Sequence, residues 1–402
     1  MSCTASASSK VTETTAFMGP SSKNFLILIS VICICVSPSN VSSWCFLCGL
    51  FYVYSITNHC DGYALSFGFF PKNPTKKRNR RAFLQKRERM IFVNITENAL
   101  PSWFAKGKGV IYFAGIGGSG MYGCARLALH LGFRVSGSDG RESQNLSTLR
   151  KMKIPLFAES APLPEDTFLV VYSFAIPPSH PRLVEAEAKG IRAIDRASFL
   201  GLLMRCFPVR AAVAGSHGKS STTAMCAEIL TRAGRSPTVV SGASLGIGED
   251  SFKAGEGDVL LFEACEYKDA FLSFSPTHAL VLDASWEHTD YFPDKTAVMR
   301  SFSRFLRLES VTCAVAPKGL FSADVTFGTD GDYRAECRFE TREGTRFLLC
   351  RQKEALGLVK LSVLGAYQVE NALGAAALCA SLGVSDRDIV EGLCAFRGIS
   401  RR

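Results

Sequence analysis

The sequence predicts an α/β fold with a mostly parallel sheet and two consecutive domains, on three observations. From Val110 onward, short apolar strands alternate with amphipathic helices, the pattern of a parallel sheet covered on both faces. Two glycine-rich loops, beginning at Gly115 and Gly215, each join a strand to a helix. At 402 residues the chain has room for two or three cores of the usual size, one for each run of alternation.

Residues 1–89 precede that pattern and share none of it. A Ser/Thr-rich start leads into apolar runs at 25–36 and 44–56, separated by Ser37-Pro38-Ser39-Asn40. Each run is shorter than the roughly 20 residues that span a bilayer. An apolar core following Lys23 has the order of a signal peptide but no convincing cleavage site. Between Lys72 and Arg89 nine basic residues face one acid, so a local charge of +8 accounts for most of the net +10. The remainder lacks the basic face that binding a phosphate backbone needs, and no nucleic-acid partner is expected. The expectation is a leader outside the working protein, with Met90 as the functional start and a membrane-tethered form only if the leader is made.

Six of the fifteen cysteines lie before residue 61, and Cys45-Phe46-Leu47-Cys48 lacks the second pair or histidine spacing of a zinc site. The other nine are scattered singly from Cys124 to Cys394, which reads as reduced thiols of a cytoplasmic protein.

The first domain is expected at 90–207. It begins with a strand at 110–114, a helix at 121–131 and a strand at 134–138, followed by a strand at 169–172 and helices at 182–189 and 196–204. Pro208 stops the last helix and marks the boundary. The second domain, 208–402, places strands at 209–214, 237–240, 259–263, 278–282 and 311–315, with helices at 220–233 and 295–307. Short strands follow around Arg338, Phe347 and Val359, and helices at 369–381 and 386–395 close it, with Ser385 as N-cap of the last.

The loop Gly215-Ser216-His217-Gly218-Lys219-Ser220-Ser221 sits where backbone N–H groups and a helix N-terminus can cradle the phosphates of ATP. Lys219 would neutralise the β- and γ-phosphates and the Ser220 hydroxyl would ligate Mg2+. Glu263 ends the strand at 259–263, where a magnesium ligand facing the loop is needed; Glu266 reads better as a solvated carboxylate. His288 follows another strand end and could bind metal, position the transferred phosphate, or simply make structural hydrogen bonds. The first loop, Gly115-Ile116-Gly117-Gly118-Ser119-Gly120, is followed about twenty residues later by Ser138-Asp139. This Rossmann-like fingerprint fits a nicotinamide dehydrogenase and a nucleotide-sugar binder equally, with Asp139 reaching a ribose.

Taken in order, GIGGSGM (115–121), SGSD (136–139), SFAI (173–176), GSHGKSSTT (215–223), EACEYKDAFL (263–272), EHTDYF (287–292), Asn371-Ala372 and FRGISRR (396–402) resemble the Mur ligase family of cell-wall synthesis, over about 110–402. The resemblance implies an ATP-dependent ligase of peptidoglycan synthesis that joins L-alanine to UDP-N-acetylmuramate through an acyl phosphate. It further implies that Gly115, Gly117, Gly118, Ser119, Gly120, Ser138 and Asp139 hold the sugar nucleotide. By the same resemblance Lys219, Glu263 and His288 act in catalysis, Ser220, Glu263 and His288 hold magnesium, and Asn371 and Arg402 contact ATP. The chain departs from the family with Asp283 where Asn is usual, Glu287 where Asp is usual, and Tyr367-Gln368 in place of a His-Asn pair. It stops where the family's third, closing domain is expected to begin, which raises a separately encoded C-terminal domain as a partner. The competing readings are a truncated or split non-catalytic nucleotide-binding protein, a dehydrogenase using the Gly115 loop, and a ligase attaching a whole recycled peptide to the same sugar.

Overall fold

The computed structural model describes residues 53–59, 62–67, 100–105, 107–243, 245 and 250–399. The chain divides into two compact units, Met1–Leu84 and Gln85–Arg402. In the first, strands β1 (Val53–His59) and β2 (Gly62–Phe67) pair as an antiparallel hairpin that the sequence pattern does not announce. The apolar run at 25–36, the basic segment and most of the run at 44–56 lie outside the described residues. No described helix is long and apolar enough to cross a membrane.

The second unit holds two sheets. After a short helix α1 (Ser102–Ala105) come strands β3 (Val110–Ala114), β4 (Arg134–Ser138), β5 (Leu156–Phe157), β6 (Thr167–Tyr172) and β7 (Arg192–Asp195). They form an all-parallel sheet in the order β5-β4-β3-β6-β7. Helices α2 (Ser119–His130), α3 (Gln144–Lys151), α4 (Pro181–Ala188) and α5 (Arg196–Leu203) connect and cover it. Every residue of β3 is buried, as a central strand covered on both faces requires. The chain leaves β3 toward β4 and later returns to its other side as β6, so the Gly115 loop lies at the switch point where such sheets bind ligands.

The second sheet contains β8 (Val209–Ala214), β9 (Thr238–Val240), β10 (Phe252–Lys253), β11 (Val259–Glu263), β12 (His278–Val281), β13 (Cys313–Pro317), β14 (Val325–Phe327), β15 (Tyr333–Thr341), β16 (Gly344–Arg351) and β17 (Glu354–Leu361). Its order is β10-β9-β11-β8-β12-β13-β14-β15-β16-β17, and the strands from β9 to β15 are parallel. Helices α6 (Lys219–Arg232), α7 (Lys295–Leu306), α8 (Ala366–Ser381) and α9 (Asp386–Ala395) belong to this part, and Ser385 caps α9 by accepting the Asp388 N–H at 3.2 Å. Here β8 is the switch strand, flanked by β11 and β12, and the Gly215 loop leaves its end.

One expectation needs correction: β15, β16 and β17 are an antiparallel meander of eight- and nine-residue strands, not short strands. Apolar alternation fails to mark β15 because charged residues take four of its nine positions and a bulge between Glu336 and Phe339 breaks the period of two. Arg334 pairs with Glu336 and Arg338 with Glu340, each at 2.9 Å between residues two apart.

The two sheets share a core across the expected boundary at 207/208. Phe104, Phe113 and Phe199 belong to the same apolar cluster as Phe262, Phe271, Phe302 and Phe305. The rings of Phe271 and Phe305 stack 4.6 Å apart. At Gly201 on α5, a Cβ would collide with the Ser273 carbonyl, so glycine is what lets the helix lie against the second sheet's connection. A polar joint adds to this. Tyr122 on α2 donates to Asp250 Oδ2 at 2.7 Å, and Arg126 contacts the same oxygen at 2.5 Å while covering the Phe252 ring at 4.9 Å.

Candidate nucleotide-binding site

The sequence after β8 makes a loop because glycine permits the turns it needs. Gly215 has φ +141° and Gly218 φ +81°, after which α6 begins at Lys219. Gly218 also lies against Asn371: a Cβ there would run into the Asn371 side-chain oxygen. The Asn371 amide is oriented by donation from Nδ2 to Gln368 Oε1 at 3.3 Å, both residues being buried. Gln368, one of the departures from the family pattern, thus supports the residue packed on the loop.

Residues 283–287, beyond β12, pin the loop from the other side. The His217 N–H donates to Asp283 Oδ1 at 2.8 Å, and its ring nitrogens lie 3.1 Å from Asp283 Oδ2 and 3.1 Å from Glu287 Oε1. Ser216 Oγ donates to the Ser285 carbonyl at 2.9 Å, and Ser285 Oγ donates to Asp283 Oδ2 at 3.0 Å. The loop is therefore fixed by side chains as well as by its own backbone.

Lys219 Nζ donates to the Gly215 and Ser216 carbonyls and to Glu266, 3.0 Å from Oε2. Glu266 is 2 % exposed and also lies 3.4 Å from His288 Nε2. The expectation of a solvated Glu266 is overturned. A buried carboxylate needs counter-charge, and Lys219 supplies it. Glu266, Glu287 and His288 bring one donor atom each within 4.8 Å of one another. The Tyr267 ring centre is 4.8 Å from that of His288, and its hydroxyl donates to Asp290 at 2.8 Å, which holds the phenol above its usual pKa.

Glu263 ends β11 beside this group without being one of the three. It accepts a hydrogen bond from Ser241 Oγ, and Gly242 is close enough that a Cβ would stand 3.0 Å from its Oε2. Ser220 is buried in the first turn of α6, with Ser221 next to it. Arg402 lies outside the described residues. Sequence reasoning missed the burial of Glu266 and the approach of Glu287. Their spacing, three and twenty-four residues beyond Glu263, shows neither.

In the first sheet, the Gly115 and Ile116 N–H groups both donate to the Ser138 carbonyl, at 2.8 and 3.0 Å. The Gly117 N–H donates to Asp139 Oδ2 at 2.8 Å and the Arg141 N–H to Asp139 Oδ1 at 3.0 Å. Asp139, expected to reach a ribose, thus braces the loop with one oxygen and its own turn with the other. Gly118 is the residue before α2 and offers no side-chain cap to Ser119 or Gly120, leaving the first helical turn open to an anion. The Arg196 guanidinium lies across Gly120, 3.1 Å from where its Cβ would be, and the hydroxyls of Ser136 and Ser138 are buried without a hydrogen-bond partner among the described residues.

Two glycine loops at the switch strands of two adjoining α/β sheets, the second carrying a lysine paired to a buried acid, define an α/β protein with two candidate anion-binding loops. Residues 110–208 match the model of the Mur ligase family, catalytic domain, and residues 213–379 that of the Mur ligase middle domain. The chain is 35% identical over 308 residues to a UDP-N-acetylmuramate--L-alanine ligase of Acetivibrio thermocellus, covering 73% of this chain and 66% of that protein. It is 35% identical over 313 residues to the ligase of the same name from Agathobacter rectalis, covering 73% and 67%. Among solved structures, UDP-N-acetylmuramate-alanine ligase MurC from Thermotoga maritima aligns with a TM-score of 0.67 at 30% identity, covering 73% of this chain and 70% of that one. This chain belongs to the Mur ligase family. It spans about two thirds of the length of the curated relatives it matches.

Proposed function

We propose that this chain binds ATP at the Gly215 loop and UDP-N-acetylmuramate at the Gly115 loop, and serves an ATP-dependent ligase that adds L-alanine to the sugar nucleotide. The observation that carries this reading is the pinned loop with Lys219 held against Glu266, which also lies beside His288. The relatives' names supply the substrates. In this reading residues 90–207 form the sugar-nucleotide domain and residues 208–402 the ATP domain. The nine cysteines among the described residues are all free thiols, which fits a cytoplasmic protein.

The chemistry joins two anions. A carboxylate oxygen of the lactyl group attacks the γ-phosphorus of ATP, a P–O bond forms, the bond from γ-phosphorus to the β,γ-bridging oxygen breaks, and ADP leaves. The amine of L-alanine then attacks the acyl carbon. The C–N bond forms, the C–O bond to phosphate breaks, inorganic phosphate departs, and the amine gives up its proton. No described residue is assigned as the acceptor of that proton. Lys219 turns from Glu266 to the β- and γ-phosphate oxygens, and the N–H groups of the loop and of α6 hold the remaining charge. Magnesium prefers hard oxygen donors, and the carboxylates of Glu266 and Glu287 beside His288 fit it, with Ser220 and Glu263 as the further ligands proposed. When bound it screens the charge between the phosphates and the incoming carboxylate.

The test is phosphate release by the purified chain with ATP, magnesium, UDP-N-acetylmuramate and L-alanine, against Lys219→Ala. Turnover lost in the variant supports the ligase. Magnesium-dependent ATP binding lost in the variant, with no turnover in either protein, supports a nucleotide-binding component that needs a further part to act.

A further inference from the structure

Between the two loops stands a cation that the reaction as described does not use. Lys268 lies in the 3-10 turn Tyr267–Ser273, one residue after the Tyr267 that packs on His288 and two after Glu266. Its ammonium sits 5.8 Å from the ring centre of Phe174 and 5.4 Å from that of Tyr267. Phe174 comes from the other sheet. It is 48 % exposed, at a corner of the turn after β6 that is closed by the Ile176 N–H donating to the Ser173 carbonyl at 3.0 Å. Ile176 reaches the first loop, its Cδ1 3.5 Å from where a Gly115 Cβ would be. The turn at 173–176 therefore links the Gly115 loop, reached by Ile176, to Lys268, reached by Phe174, and contacts continue from Lys268 through Tyr267 and His288 to Glu266 and Lys219.

The backbone is strained to hold Lys268 there. Lys268 (φ 54°, ψ 32°) and Asp269 (φ 57°, ψ 20°) are consecutive non-glycine residues in the left-handed region, an arrangement that persists only when its surroundings enforce it. Asp269 supplies the enforcement: it accepts hydrogen bonds from Ser301 Oγ and Tyr291 OH and lies 3.5 Å from Arg304. Among the described residues no carboxylate pairs with Lys268. The aromatic faces of Phe174 and Tyr267 attract its charge without neutralising it, so an anion can still bind there.

Resting on the function proposed above, we propose that Lys268 binds the lactyl carboxylate of the sugar-nucleotide acceptor and, with Phe174 beneath it, aims that carboxylate at the γ-phosphate. An acceptor whose diphosphate sits at the Gly115 loop must carry its carboxylate toward Lys219, and Lys268 stands on that route. The contact makes Lys268 selective for a sugar nucleotide bearing an acid over one that lacks it.

The experiment compares binding of UDP-N-acetylmuramate and UDP-N-acetylglucosamine, which share nucleotide and sugar and differ by the lactyl acid, by calorimetry on the full chain. Lys268→Met is expected to weaken UDP-N-acetylmuramate about tenfold, the scale of a lost charge-assisted hydrogen bond, and to leave UDP-N-acetylglucosamine unchanged. Lys268→Glu should weaken the acid-bearing ligand further, and Phe174→Ser should weaken it by a smaller factor in the same selective way. Undiminished preference for UDP-N-acetylmuramate in Lys268→Met overturns the inference while leaving the function reading intact, and so does equal weakening of both ligands. Failure of the unaltered chain to bind either ligand overturns the function reading and this inference with it.

Discussion

Gly218→Ala tests whether the phosphate loop is shaped by the packing seen around it. At φ +81° an alanine costs about 1–2 kcal/mol from its backbone alone. The new methyl would also run into Asn371, whose Cγ and Nδ2 would lie 3.0 and 3.2 Å away. Forcing a methyl into a packed site adds about 1–3 kcal/mol. The sum, about 2–5 kcal/mol, corresponds to a fall in melting temperature of roughly 3–8 °C for a unit of this size. The two parts separate in the Asn371→Ala background, where the collision is gone and only the backbone cost remains. Urea unfolding of the four proteins, followed by tryptophan fluorescence and circular dichroism, should show a coupling of about 1–3 kcal/mol between the two positions. An equal cost for Gly218→Ala in both backgrounds would refute the steric account and leave the φ angle as the sole reason for glycine.

Glu266→Gln leaves Lys219 without its anion. Stability should fall by about 1–2 kcal/mol, allowing for the solvent that reaches Lys219, and magnesium-dependent ATP binding should require more magnesium; an unchanged magnesium titration removes Glu266 from the ligand set. Asp283→Asn keeps an oxygen for the His217 N–H but removes a negative charge beside the phosphates. ATP affinity should rise about fivefold at low salt, and no change would show the charge to be screened. The Tyr122 phenol is pushed up to about 12 by burial and by its bond to Asp250. A folded-state pKa above the unfolded value near 10 stabilises below pH 10 and is lost as pH rises toward 12. Tyr122→Phe should therefore flatten the fall in stability between pH 10 and 12, and denaturation curves that keep the slope in the variant would assign it to other groups.

Legibility from sequence followed local signal. The strands at Val110, Val209 and Val259 were readable because they are central, mostly buried and mostly apolar, with Arg210 and Glu263 the charged exceptions. Both glycine loops were readable because strand, glycine, helix is a local order. The two-residue strands β5 and β10 carry too little pattern to register, and β15 hides behind its charge pairs. At the site, Lys219 and His288 could be nominated from motif position. Glu266 could not be recognised as buried, because its burial comes from Lys219, forty-seven residues away, and from His288, twenty-two away. The hold of Asp283 and Glu287 on His217 is likewise a product of neighbouring strand ends, which only the sheet order brings together.

The apolar cluster running beneath both sheets acts as a ruler. Close-packed side chains resist compression, so the spacing between the ends of β3 and β8 is set by the volumes of rings such as Phe199 and Phe271. In the function proposed above, an acceptor anchored at one loop meets a donor anchored at the other only if its own length matches that spacing. Trimming a buried ring far from either loop would then alter which acceptors fit while leaving each loop's own grip unchanged.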